Sequence, residues 1–104
     1  MNMTCEVSRH GTTANLIIKG NVYENEATIL KQNFLTLPLN QVKEVIIDMG
    51  GVEFFGSSAV GKLLLLYKSV AEHKGTMRLV RTPDLIAKLF NELRIDTLFE
   101  VSRA

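Results

Sequence analysis

The stretch VIIDMGGVEFFGSSAVG, residues 45–61, decides the fold. It opens with Val45-Ile46-Ile47, an unbroken β-branched run behind the charged pair Lys43-Glu44. Continuous rather than alternating apolar residues predict a strand covered on both sides in the centre of a sheet. That strand is expected to end at Asp48, and 49–56, with three glycines, reads as a connecting loop. Ser57 and Ser58 then lead into the strongest helical pattern in the chain. Val60, Leu63, Leu64, Tyr67, Val70 and Ala71 recur at three- and four-residue steps and share one helical face. Over 58–74 the helix would be roughly 25 Å long, at about 1.5 Å per residue. Gly75 is placed to stop it in a left-handed conformation. Leu65 and Leu66 lie off the main stripe; either is a flank contact or, if exposed, a candidate for partner contact.

Towards the N-terminus, the runs 4–8 and 14–19 are separated by His10-Gly11-Thr12 and read as a β-hairpin, with Gly20-Asn21 ending its second strand. From about Asn25 the period changes. Ala27, Leu30, Phe34 and Leu37 lie on one helical face, and Pro38 cannot continue that helix. Towards the C-terminus, 77–81 is a further strand. Thr82-Pro83-Asp84 starts another helix, with Thr82 as cap, Pro83 in the first turn and Asp84 at its positive end. Its buried stripe is Ile86, Leu89, Phe90 and Leu93, and 96–101 is a turn followed by an edge strand. The order β-β-α-β-α-β-α-(β) predicts an α/β domain. Its mixed β-sheet has four to five strands, with helices packed mainly on one face.

Composition narrows the function. The chain of 104 residues makes one domain, 1–104, with room for a core but not for a second catalytic unit. Net charge is +1, and no Lys/Arg run supplies the basic face that nucleic acid requires. Cys5 is the single cysteine, with His10 and His73 far apart, so no disulfide, metal site or other cofactor is expected. The segment 1–9 lacks an apolar signal region and no stretch reaches the length of a membrane span, so membrane insertion is not expected and a cytoplasmic location is.

The site that stands out is the helix start at Ser57 and Ser58. Helix N-termini carry unpaired N–H groups and partial positive charge, which stabilise an anion. A phosphate on a serine there would add about −1.5 to −2 charge where the fold can accept it. The plainer reading is that Ser57 or Ser58 simply caps the helix, a contribution of ~1 kcal/mol. The two are compatible, since one serine can cap while its neighbour faces solvent.

The chain resembles the STAS domain family in its anti-sigma factor antagonist form. The residues that carry the likeness are the apolar strand ending in Asp48, Gly51-Val52, Phe54-Phe55, the paired Ser57-Ser58, Gly61 and Gly75. The strand 77–81, the segment 83–99 with Leu98-Phe99, and Gly20 after the second strand also match. The resemblance implies a STAS-like fold and a non-enzymatic, protein-binding switch. It implies Ser57 as phosphoacceptor for a cognate anti-sigma factor that is also a serine kinase. Ser58 would be its capping or supporting neighbour, and the loop with Asn21, Tyr23 and Glu24 part of the docking face, with Asp48 and Gly56 in support. The family usually has an acid where this chain has Gly56, an aspartate where it has Tyr23 (with Glu24 adjacent), and favours glycine at the place of Ala59.

Other readings fit less well. A nucleophile elbow needs Gly-x-Ser-x-Gly, but Gly56-Ser57-Ser58-Ala59-Val60 ends in valine. A receiver phosphorylated on Asp48 would need acids after the first strand, where Ser8-Arg9-His10 stand. Gly61-Lys62-Leu63 lacks the Ser/Thr of a phosphate-binding loop. The remaining alternative is a STAS scaffold or subunit of a signalling or transport assembly, in which Ser57 is only a cap.

Overall fold

The structure, a computed structural model, describes residues 2–104. A hairpin of β1 (Thr4–His10) and β2 (Thr13–Val22) is followed by α1 (Glu24–Leu35), β3 (Glu44–Phe55), α2 (Ser57–Glu72), β4 (Thr76–Thr82) and α3 (Asp84–Glu92). A 3-10 turn (Ile95–Thr97) and β5 (Glu100–Arg103) complete the chain. The five strands form one mixed sheet in the order β1-β2-β3-β4-β5, antiparallel at β1–β2 and parallel elsewhere. Parallel crossovers are right-handed, so strands added in one direction place every connecting helix on the same face. That face and the helices enclose the core, with Leu16, Ile18, Val45, Ile47, Leu63, Leu79 and Phe90 fully buried. Phe55 meets Phe90 edge-on at a centroid distance of 6.0 Å, which ties β3 to α3.

One-sided coverage corrects the expected burial of the central strand. Along β3, Val45, Ile47 and Met49 are buried while Ile46 and Asp48 are only partly so. The opposite face is open: Ile46 stands there between Asn15 and Arg78, and Asp48 between Ile17 and Val80.

The glycines after Asp48 do not make a loop. β3 runs on to Phe55, pairing Gly51 with Lys19, Val52 with Gly20 and Phe55 with Val22, and β2 likewise continues past Gly20-Asn21. These glycines serve close approach. A Cβ on Gly50 would lie 2.7 Å from the Arg81 guanidinium carbon, and one on Gly51 2.7 Å from the Lys19 side chain.

The face of α2 also differs from the expected one. Ala59, Val60, Leu63, Leu66 and Val70 are buried, Leu64 and Tyr67 are half-buried against the core, and Ala71 is exposed. Packing against α1 rotates the buried arc towards Leu66 and away from Ala71. Leu65, by contrast, is exposed. The first helix ends at Leu35, before Leu37 and Pro38. The left-handed residue after α2 is Lys74 (φ 61°), not Gly75. Gly75 is small because a Cβ there would sit 3.1 Å from the Lys43 carbonyl oxygen. Thr82 does not cap α3. It ends β4 with its hydroxyl buried, and Pro83 occupies the N-cap.

Burial raises the Cys5 thiol from its ordinary 9.0 to about 11. Between those values the unfolded chain releases the thiol proton and the folded chain keeps it, so this group makes stability fall as pH rises from 9 towards 11. The denaturant midpoint of the wild-type chain is therefore expected to drop more steeply across that window than that of Cys5→Ala. Parallel curves would show that Cys5 ionises as freely folded as unfolded.

Candidate functional site

The C-terminal ends of β2 and β3 deliver the backbone to the starts of α1 and α2, which therefore lie side by side. At β3's end the Gly56 N–H donates to the Val22 carbonyl (3.1 Å), joining the two strand ends just before Ser57. Gly56 is the N-cap of α2, in extended conformation. Ser57 is the first helical residue and is exposed; Ser58 follows and is partly covered.

Neither serine caps the helix, which corrects that expectation. A capping side chain must leave from the extended N-cap residue to reach the first-turn N–H groups, and here that residue is glycine. The start of α2 also carries no acidic side chain in its first turn. α1 is different: Glu24 and Glu26 lie in its first turn, and the Glu26 carboxylate accepts the Tyr23 N–H at 3.1 Å. The α2 terminus keeps its partial positive charge uncompensated by first-turn side chains.

Beside it stands an aromatic ledge. Tyr23 and Phe54 stack with ring centroids 4.8 Å apart, and both are about half exposed, at 56% and 44%. A Cβ on Gly56 would lie 3.1 Å from the Phe54 ring, so the ring occupies the space a side chain at 56 would need. Asn21 completes the rim, its side-chain amide 3.5 Å from the Glu53 carboxylate, and Glu24 begins α1 exposed to solvent.

Ser57, Ser58, Gly56, Asn21, Tyr23 and Glu24 are thus brought to one end of the sheet. Asp48 is not. It lies mid-strand on the open face, where its carboxylate accepts the Gly50 N–H at 2.9 Å and pairs with Arg81 at 3.0 Å. Arg81 reaches it from a left-handed backbone position (φ 52°). Phe54 belongs to the site although 49–56 reads as a loop in the sequence. The signal was the adjacent Phe54-Phe55: on a strand, one of two neighbours must face outward.

No triad forms around Ser57. His73 ends α2, about 24 Å along the helix at about 1.5 Å per residue, with its Nδ1 2.8 Å from the Ser69 carbonyl oxygen. His10 pairs with Thr13 at the far end of β2. Among the described residues there is no group of three His, Cys, Asp or Glu placed to hold a metal ion, and no helix is long and apolar enough to cross a membrane.

A one-faced α/β sandwich whose singular feature is an open helix start, flanked by exposed aromatics, defines a class of domain that presents a surface. The family model described as "Mlab, STAS domain" matches residues 5–100, and the chain belongs to the STAS domain family. No curated protein sequence matches it. Among solved structures it is similar to an anti-sigma factor antagonist from Mycobacterium paratuberculosis. There the TM-score is 0.86 at 19% identity, covering 99% of this chain and 87% of that one. It is similar to the phosphorylated form of the Bacillus cell fate determinant SpoIIAA, with TM-score 0.76 at 15% identity over 94% and 90% of the two chains. A STAS-domain protein from Planctomyces limnophilus gives TM-score 0.75 at 19% identity over 96% and 90%. At these identities the likeness is one of fold.

Proposed function

We propose that the protein is an anti-sigma factor antagonist of the cytoplasm, switched by phosphorylation of Ser57 by its partner, an anti-sigma factor that is also a serine kinase. The observation that carries this reading is an exposed serine at the uncapped, carboxylate-free start of α2. A dianion on Ser57 meets unpaired N–H groups and no like charge from the first turn, so the fold tolerates it locally. The repulsion and bulk then fall on whatever protein covers the site. The structural neighbour SpoIIAA, which exists in unphosphorylated and phosphorylated forms, supports the reading by analogy of fold.

This chain differs in how it would be recognised. Gly56 and Tyr23 remove the acids that the family usually places here, and the Tyr23–Phe54 stack fills the space beside Gly56. Aromatic contact therefore replaces carboxylates at the docking face, with Asn21 and Glu24 at its edge. Aromatic side chains are frequent anchors at protein interfaces.

The test is to incubate the chain with each anti-sigma-type serine kinase of the same genome and ATP, then map phosphate by mass spectrometry. Phosphate is expected on Ser57 and not on Ser58. The modified chain should bind its kinase at least about tenfold more weakly, a difference of about 1.4 kcal/mol. Ser57→Ala should bind throughout, and Ser57→Asp should weaken binding only partly, because aspartate carries less charge and fewer acceptor oxygens. A kinase that binds tightly yet leaves Ser57 unmodified would instead favour a STAS scaffold within a signalling or transport assembly.

A further inference from the structure

Away from the serine, the C-terminal half of α1 and the middle of α2 part over a groove of about 150 Å³. Its floor includes buried Phe34 and Leu66, and its rims carry Leu35 and Leu65, which are 74% and 53% exposed. Lys31 stands on the α1 wall and Lys62 on the α2 wall, and no carboxylate lines the groove. Among the described residues neither lysine has an ion-pair partner.

We propose that this groove is a second docking site, which takes one large apolar side chain from an acidic helical segment of a partner protein. The volume suits a single anchor rather than a ligand that must be enclosed. Apolar contact supplies the affinity, and two uncompensated ammonium groups on opposite walls select an anchor with carboxylates on both sides. Gly61 fits the same occupant. It lies on α2 one turn before exposed Leu65, and nothing is found within 4 Å of where its Cβ would be. Glycine inside a helix is unfavourable relative to alanine, and the chain's own packing does not require it here. Its absent side chain lets a partner helix lie close along the crest of α2.

A partner protein fits better than a lipid surface. A bilayer meets protruding side chains, whereas this site is concave, and it has two lysines rather than the basic cluster that anionic membranes attract. Leu65 is eight residues beyond Ser57, about 12 Å along the helix at about 1.5 Å per residue. The groove is therefore centred away from the serine and does not rest on its phosphorylation, although Gly61, one turn from Ser57, brings the two contacts side by side on α2.

The test uses the full chain, isotope-labelled for NMR, and a synthetic helical peptide of about four turns with leucines on one face and glutamates elsewhere. Its counterpart carries lysine for glutamate. The glutamate peptide is expected to shift the Leu35, Leu65 and Ser69 amide signals saturably, leaving Tyr23 unmoved. Lys31→Glu combined with Lys62→Glu should weaken it about tenfold or more. Gly61→Gln, at an exposed position with open space, should weaken it similarly while thermal stability holds or rises. Ser57→Asp, which adds a like charge one turn from Gly61, should weaken it less than the double lysine variant does. Equal binding of the lysine peptide, or no response to the glutamate peptide, would overturn the proposal. So would Leu65-dependent binding to phosphatidylglycerol vesicles, or Leu65-dependent self-association in sedimentation, because either assigns the groove another occupant.

Discussion

Leu63→Ala is expected to lower the unfolding free energy by about 2–5 kcal/mol, the range for a buried leucine whose cavity collapses only in part. Leu63 has no solvent exposure and belongs to the buried arc that packs α2 onto the sheet. The adjacent Leu64 makes the comparison informative. It is half-buried at the flank of the helix, so part of its surface is already in water. Leu64→Ala should therefore cost about 1–2 kcal/mol, scaled from the 1.5–3 kcal/mol of a full side-chain burial. Urea titration measures both, and an unchanged slope would show that stability alone has moved. Equal losses would mean that α2 turns a different face to the sheet.

Gly20→Ala should cost on the order of 2–3 kcal/mol, through conformation and close approach together. Gly20 has φ 94°, in the region that side chains disfavour, and an added Cβ would lie 2.6 Å from the Asn2 carbonyl oxygen. That neighbour is backbone, which cannot swing aside as a side chain can. Gly20 also sits where the β2–β3 register shifts, so that Asn21 and Val22 come to lie opposite Phe54 and Phe55. Relief of the clash should therefore move the Tyr23–Phe54 stack, visible as shifted aromatic NMR signals, along with the loss in stability. A stable Gly20→Ala chain with unmoved aromatic signals would show that the N-terminal backbone yields freely. In that case Gly20 would not position the site.

The sequence by itself determined the elements whose signal is periodic. Ala27, Leu30 and Phe34 announce α1 because a helix repeats its inner face every three to four residues, and that spacing survives in any packing. The alternation of strands and helices likewise points to a mixed sheet with helices mainly on one face. The run Val45-Ile46-Ile47, however, reads locally as covered on both, and the strand order β1-β2-β3-β4-β5 decides for one. Ser57 at a helix start was legible for the same reason: the apolar stripe from Val60 onward dates the beginning of the helix. What only the tertiary structure decided depends on residues remote in sequence. Gly50 and Gly51 look like loop glycines until Arg81 and Lys19 fill the space above them. Leu64 and Leu66 exchange roles because α1 packs on one side of α2, which no local period encodes. The aromatic ledge joins Tyr23 to Phe54 only because β2 and β3 end together. The absence of a serine cap follows from Gly56 taking the extended position before the helix, a choice made where β3 stops rather than where the serines stand.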